Sequence, residues 1–301
     1  MTKSRKTRTF TNPNTTVNIS EKLIRVQKSF RSEGIPDSEL EASILIATAI
    51  QETRSTLYAN LYEEIPQKYI KAIDEFVQRR LKREPLAYIL RNREFYGLQL
   101  EVSRGVFIPR PETELLVDIA IARIRNMASR TPIRVVELGT GSGAISIAVA
   151  SNVSGITSLA TDISDVALGI AKKNAMTHGV SDSVKFLRRN LLACFSDSID
   201  VLIANLPYIK SSRVPDLAPE IYLHEPIEAL DGGEDGCSLI IQMLEQAKQL
   251  LREGSTILLE MDPEQFTIIG VHARKLWPAA HLTRHIDLAG YDRILEITIN
   301  P

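Results

Sequence analysis

The chain predicts an α/β fold: a parallel, doubly wound sheet with a small helical domain before it. Three observations carry this. From Arg134 to the end, short apolar runs rich in β-branched residues alternate with helical stretches. Two of those runs stop abruptly in turn chemistry, one at Gly139-Thr140-Gly141-Ser142-Gly143 and the other at Asn205-Leu206-Pro207-Tyr208. Strands covered on both faces are apolar continuously, as these are. Before Arg134 the dominant period is helical. In open α/β sheets ligands collect at the carboxyl ends of the strands, so the two turns are expected to face one crevice.

Taken in order, residues 1–17 carry Lys3, Arg5, Lys6 and Arg8 and no acid. Nothing there can bury a core, which predicts a disordered tail; a basic, hydroxyl-rich targeting segment has the same composition. Residues 18–90 read as a helical domain. Ser20 can cap a helix with Leu23, Ile24, Val26 and Phe30 on its apolar face, ended by Gly34. Leu40, Ile44, Leu45 and Thr48 give a second helical face. A third helix starts near Gln67 with Ile70, Ile73, Phe76, Val77 and Leu81. Its end carries Arg79, Arg80, Lys82 and Arg83, either a solvated helix end or a docking surface for an acidic partner.

Residues 91–110 are expected to form a linking β-hairpin. Glu94 to Val102 alternates, breaks at Ser103-Arg104-Gly105 and resumes at Val106 to Ile108. Pro109 to Glu114 is a rigid turn feeding a helix with Leu115, Leu116, Ile119 and Ile124 on one side. Residues 111–301 then form the α/β domain. Its strands are expected at 134–138, 157–162, 184–188, 199–204, 255–260 and 293–299. Gly290-Tyr291-Asp292 is a turn between two extended runs, which predicts an antiparallel edge strand.

The chain has 301 residues with 44% hydrophobic and 24% charged, a soluble globular balance that supports an ordinary core. The formal net charge of -1 gives no global basic field, so no stable nucleic-acid partner is expected. The two cysteines, Cys194 and Cys237, suit a reducing compartment, and a cytoplasmic location is expected. No run is long enough to span a membrane, and neither the His nor the Cys spacing suggests a metal site.

Gly139 to Gly143 is G-x-G-x-G, not the G-x-G-x-x-G of dinucleotide binders. The glycines let backbone approach a ligand, and Asp162 closes the next strand where a carboxylate can hold ribose hydroxyls. This spacing favours S-adenosylmethionine over NAD. Asn205-Leu206-Pro207-Tyr208 can be an ordinary loop, but its place at a strand end beside the cradle points to chemistry.

The D/N-P-P-Y motif belongs to amino-methylating methyltransferases, and Asn205-Leu206-Pro207-Tyr208 resembles it. Phe95-Tyr96-Gly97-Leu98, the stretch Gly105 to Glu114, Glu225-Pro226, Ala229 to Gly236, Pro85 to Ile89 and Asp287 to Arg293 narrow the likeness. Together they resemble the HemK family of protein-(glutamine-N5) methyltransferases, from about residue 20 to the end. The resemblance implies a seven-stranded, Rossmann-like S-adenosylmethionine-dependent methyltransferase domain. It also implies the substrate, the glutamine of the Gly-Gly-Gln loop in class 1 peptide chain release factors, and a recognition role for the helical domain. Gly139, Thr140, Gly141, Ser142, Gly143, Asp162, Asn190, Leu191 and Asn205 are then expected to bind the cofactor. Phe107, Pro109, Arg110 and Asn205 to Tyr208 are expected to bind the substrate, with Asn205, Leu206, Pro207 and Tyr208 catalytic. Four positions depart from the family pattern: Leu206 for proline, Asn190 for an acid, and Arg91 and Asp262 for glycines.

An amide nitrogen is a poor nucleophile, so positioning matters more than a strong base. The Asn205 side-chain oxygen and the Leu206 carbonyl are expected to accept the two amide hydrogens, with Tyr208 and Phe107 as walls. Asp231 to Gly236 reads as a flexible loop over the site, since it lacks calcium-loop spacing. A monomer is expected. The alternatives are an rRNA-type adenine amino methyltransferase, a non-catalytic cofactor-binding protein and an NAD oxidoreductase.

Overall fold

A computed structural model describes residues 17–127 and 132–300. Apart from Val17, the expected tail lies outside the described residues. The chain divides into two compact units, Met1–Leu90 and Arg91–Pro301.

The first unit is helical: α1 (Ile19–Ser32), α2 (Ser38–Ala49), α3 (Arg54–Ala59), α4 (Gln67–Leu81) and α5 (Leu86–Leu90). Leu23, Val26, Phe30, Leu45, Ile46, Leu57, Ile73 and Val77 share its core. The α1 cap is Asn18, whose side chain accepts from Glu21 N–H, and not Ser20. Ile24 faces solvent, so the buried stripe is Ile19, Leu23, Val26 and Phe30. In α2 the buried face is Ala42, Leu45, Ile46 and Ala49, while Leu40 and Thr48 are exposed. That helix is apolar nearly all round, so periodicity gave its phase no contrast. The basic run at the end of α4 is only partly a solvated end: Lys82 is exposed, but two of its arginines are paired within the unit. Arg80 is 2% exposed and its guanidinium meets Glu41 of α2 at 2.5 Å, while Arg79 pairs with Glu84 at 2.6 Å. Both charges are spent inside the unit.

The second unit opens with a hairpin, β1 (Asn92–Phe95) and β2 (Leu98–Glu101), in antiparallel register. Its turn is Tyr96-Gly97, and Ser103 to Gly105 only ends the pairing; Val106 to Ile108 is not a strand. Both turn residues have positive φ, 52° and 73°, the geometry that matches strand twist in a two-residue hairpin. Tyr96 is an unusual occupant, held there from outside the turn. Its N–H donates to Glu114 at 2.9 Å and its hydroxyl to Asp118 at 2.6 Å.

A 3-10 turn (Pro111–Thr113) leads into α6 (Glu114–Asn126). The main sheet then follows: β3 (Ile133–Leu138), α7 (Ala144–Asn152), β4 (Ile156–Asp162), α8 (Asp165–Thr177), β5 (Val184–Arg188) and β6 (Ile199–Ala204). After α9 (Pro219–His224) and α10 (Ser238–Ala247) come β7 (Leu251–Glu260), α11 (Phe266–Leu276), β8 (His281–Ile286) and β9 (Asp292–Thr298). The seven strands lie in the order β5-β4-β3-β6-β7-β9-β8. β3 to β7 are parallel; β9 runs antiparallel between β7 and the edge strand β8. Alternate residues feed two cores. Val135, Val201 and Leu258 pack with α6 and α7 on one face, and Val136, Leu202 and Leu259 with α10 and α11 on the other. The order reverses at β3, where β4 lies to one side and β6 to the other, and the crevice at such a switch is where ligands bind.

Candidate active site

The turn after β3 is shaped by glycine. Gly139, Gly141 and Gly143 have φ of 68°, 55° and 84°, a region that L side chains avoid. A Cβ on Gly143 would stand 2.8 Å from Ile147 Cδ1 and 3.1 Å from Ala171 Cβ, so this glycine lets α7 pack on α8. A Cβ on Gly141 would meet nothing nearer than Phe107 Cβ at 4.0 Å. Phe107 thus borders open space above the turn.

Two carboxylates brace the turn. Glu137, buried at the end of β3, accepts from Thr140 Oγ1 at 2.7 Å, from Ser146 N–H at 3.1 Å and from the Ser146 hydroxyl. Burial pushes its pKa up to about 7, against the pull of Ser146 and Thr140. Asp162, the last residue of β4, accepts from Gly141 N–H at 2.9 Å through Oδ2 and from Ser164 N–H at 2.9 Å through Oδ1. Each oxygen keeps a lone pair for a further donor. Ser142 is buried, and its hydroxyl has no hydrogen-bond partner among the described residues. Asn174 of α8 bridges from Ser142 O (2.9 Å) to the backbone of Glu101 (2.7 and 3.0 Å), joining turn to hairpin.

The turn after β6 adjoins this cradle. A Cβ on Gly139 would lie 3.4 Å from Leu206 Cδ2 and 3.8 Å from Asn205 O. Leu206 is buried, its side chain packed in the core with Leu138 and Met261. Asn205 is half-buried, and its Nδ2 donates to Thr113 Oγ1 at 3.2 Å. The Tyr208 hydroxyl donates to Glu260 Oε1 at 3.3 Å. Burial raises the pKa of both Tyr208 and Glu260; the Glu260 charge adds to the rise at Tyr208, while Tyr208 and Arg293 pull Glu260 the other way.

The segment 231–236 is a fixed buttress rather than a flexible loop. Gly232 N–H donates to Ile209 O at 2.8 Å and Ser211 N–H to Gly233 O at 2.9 Å. A Cβ on Gly232 would fall 2.6 Å from Pro207 O and 2.7 Å from Tyr208 Cα, and one on Gly236 would collide with Tyr208 O and Gln265 Nε2. Gln265 donates to Tyr208 O at 2.7 Å and accepts from Asp262 N–H at 3.1 Å. Asp262 caps the 3-10 turn Pro263–Gln265 and pairs with Arg213 at 3.1 Å, which accounts for an acid there. Arg91 takes φ of 56° in place of a glycine, and its guanidinium pairs with Glu101 at 2.7 Å.

The remaining expected residues fall as follows. Pro109 is buried and its carbonyl accepts from Arg93 Nε at 3.2 Å. Arg110 lies over the Phe107 ring at 4.8 Å and forms an ion pair with buried Glu225, which also accepts from Ile108 N–H at 3.1 Å. Asn190 is exposed, and Leu191 is buried with φ of 50°. The structure therefore brings Gly139 to Gly143, Asp162, Phe107 and Asn205 to Tyr208 to one end of the sheet. Sequence reasoning missed Glu137, Thr113, Glu225 and Gln265 as parts of the site. The legible signal for Glu137 was an acid set between Val136 and Leu138 in the apolar run before the glycine turn.

Residues 21–90 match the PrmC N-terminal domain, and residues 119–230 match ribosomal protein L11 methyltransferase (PrmA). The release factor glutamine methyltransferase of Agrobacterium fabrum is 32% identical over 282 residues, 92% of this chain and 96% of its own. That of Gloeobacter violaceus is 41% identical over 213 residues, 70% of this chain and 73% of its own. Among solved structures, the hMettl16 catalytic domain in complex with a MAT2A 3'UTR hairpin aligns with a TM-score of 0.55. It is 18% identical and covers 73% of this chain and 82% of its own, a likeness of fold alone.

Proposed function

The chain belongs to the release factor glutamine methyltransferase family, and on that premise we propose that it methylates the side-chain amide nitrogen of a release-factor glutamine, that of the Gly-Gly-Gln loop in class 1 factors. The observation that carries the reading to particular residues is the contact of the two turns: Asn205 and Leu206 stand against Gly139. An amide held at one turn is then beside a ligand cradled by the other. The nucleic-acid alternative is not favoured, because relatives that match over most of the chain are named for release factors.

The residues present fit S-adenosylmethionine. A nucleoside needs acceptors for its ribose hydroxyls, and Asp162 keeps lone pairs free at the end of β4. The space above Gly141 is open, and the buried Ser142 hydroxyl has no partner among the described residues. In this reading Gly139 to Gly143, Asp162 and Leu191 hold the cofactor, which supplies a methyl group on a positively charged sulfur.

The protein's own part is positioning. Asn205 Oδ1 and the Leu206 carbonyl accept the two hydrogens of the target amide. That aims its nitrogen into the crevice and stabilises the positive charge growing on it. Pro207 restricts the backbone of Leu206 and so aims its carbonyl. Phe107 and Tyr208 flank the amide and exclude water. A translation substrate places the reaction in the cytoplasm, with the helical unit as a second contact for the release factor.

The test is to incubate the protein with methyl-labelled S-adenosylmethionine and the cognate release factor, then locate the label by mass spectrometry. Label on the Gly-Gly-Gln glutamine is expected. Label confined to other residues, or to RNA offered in the same reaction, would overturn the reading.

A further inference from the structure

Phe107 stands in a stretch with no regular structure of its own. Residues 106–110 form no strand, so the buried Ile108 has no ladder in which to pair its N–H. Pro109 and Pro111 stiffen the stretch but bring no donor. The hold on this stretch comes instead from a side chain far along the sequence.

That side chain is Glu225, 115 to 117 residues further on. Glu225 follows α9 with φ of -81° and ψ of 151°, the extended backbone imposed on a residue before proline. Pro226 thus stops the helix at Glu225. The carboxylate is buried, its side chain only 1% exposed. Oε2 accepts from Ile108 N–H at 3.1 Å, and Oε1 accepts from the Arg110 guanidinium. That guanidinium lies over the Phe107 ring, 4.8 Å from its centre. A buried charge is costly unless it is paired and hydrogen-bonded. Here its two donors come from the stretch that carries Phe107. One is the backbone next to Phe107, and the other is the cation that covers the ring.

The place of Glu225 in the chain adds to this. Residues 209–231 leave the sheet at the Asn205 to Tyr208 turn and come back to it. Ile209 N–H donates to Leu230 O at 3.1 Å, and Gly232 N–H to Ile209 O at 2.8 Å. The base of this excursion is therefore the chemical turn, and Glu225 is where the excursion grips the Phe107 stretch.

We propose that Glu225 is a positioning residue for methyl transfer: through Ile108 N–H and Arg110 it sets the Phe107 ring as a wall of the crevice and ties it to the excursion that springs from Tyr208. The inference rests on the reading that Phe107 and Tyr208 flank the target amide, and it adds what fixes one wall relative to the other. Glu225 itself touches no reacting atom.

The experiment compares Glu225→Gln, Phe107→Ala, their double variant and Arg110→Lys in the full chain, reading Tm, kcat, KM for release factor and S-adenosylmethionine affinity separately. Glutamine keeps the shape of glutamate, but only one of its two terminal atoms accepts. It can serve Ile108 or Arg110, not both. Glu225→Gln is expected to lower kcat about 10- to 100-fold, the scale of a small misplacement at the reacting centre, with cofactor affinity unchanged. Phe107→Ala should lose at least as much. In the Phe107→Ala background Glu225→Gln should cost nothing further, because the ring it sets is gone. Arg110→Lys keeps a charge for Glu225 but has no planar group to lay over the ring. It should lower kcat about two- to fivefold, and only while Phe107 is present. A loss in Glu225→Gln that persists in full without Phe107 overturns the inference. Wild-type kcat in Glu225→Gln, with or without a lower Tm, and a large loss in Phe107→Ala overturns it while sparing the reading of Phe107. Wild-type kcat in both overturns the two together. Should Glu225→Gln fail to fold, Arg110→Lys with and without Phe107 decides by the same criteria.

Discussion

Two buried carboxylates lie at the carboxyl ends of two strands of this sheet, Glu137 next to last in β3 and Glu260 last in β7, and they are built in opposite ways. Glu137 closes on its own neighbourhood, with partners Thr140 and Ser146 three and nine residues away. Glu260 meets Tyr208 from 52 residues away, and beside it Asn205 meets Thr113 from a different element altogether. The cradle is thus a local device, a strand, turn and helix that organise themselves. The turn that carries Asn205 is assembled from three distant segments. Damage to the first should appear in stability and cofactor affinity, and damage to the second in turnover.

The largest effect expected from this contrast is at Asn205. Asn205→Ala removes an acceptor aimed at developing charge, and turnover should drop about 10²- to 10³-fold. Cofactor affinity, measured by calorimetry, should stay near wild type because the glycine turn is untouched. Equal losses in affinity and turnover would dissolve the distinction between the two ends of the crevice.

The next effect concerns Glu137 and pH. Its pKa stands at about 7 in the folded protein against an ordinary 4.5. Across that window the folded state keeps a proton that the unfolded chain has released. The contribution is therefore whole below 4.5 and lost as pH rises through about 7. Its ceiling is about 3 kcal/mol, from 1.36 kcal/mol for each unit of pKa. Urea unfolding of wild type should show stability falling with pH in this range, and Glu137→Gln should flatten the fall. Glu260 is raised in the same direction and leaves a residual slope. An undiminished slope in Glu137→Gln would remove Glu137 from the account.

The same contrast explains what the sequence made legible. The sheet could be read because its runs are apolar on both faces and stop at glycine or at Asn-Leu-Pro-Tyr. The cradle could be read because all its parts lie within one strand-turn-helix. Thr113 could not, since its partner Asn205 is 92 residues away. Arg80 was misread for a similar reason. A charge at a helix end reads as solvated, and pairing with Glu41, 39 residues distant, makes it internal. The hairpin turn was misplaced because Ser103-Arg104-Gly105 has better turn chemistry than Tyr96-Gly97. The tyrosine holds its positive φ through Glu114 and Asp118, partners that no local pattern announces.

The smallest expected effect is at Leu206, which belongs to both ends. Its side chain reaches over Gly139 and packs in the core, while its carbonyl is the part proposed to meet the substrate. Proline there would fix φ and keep the carbonyl. Pro207 already pushes the preceding residue toward an extended backbone, so the carbonyl should point the same way in either case. Leu206→Pro should therefore change turnover by less than about tenfold, roughly 1.4 kcal/mol in the barrier. It also deletes buried carbon atoms, which should lower stability by about 1–3 kcal/mol. Pro207→Ala frees the backbone at both positions and should cost more turnover with less loss of stability. Steady-state kinetics and urea unfolding on the two variants give the ranking. If Leu206→Pro instead costs more turnover than Pro207→Ala, the leucine side chain shapes the crevice itself, and the border between cradle and chemical turn runs through residue 206.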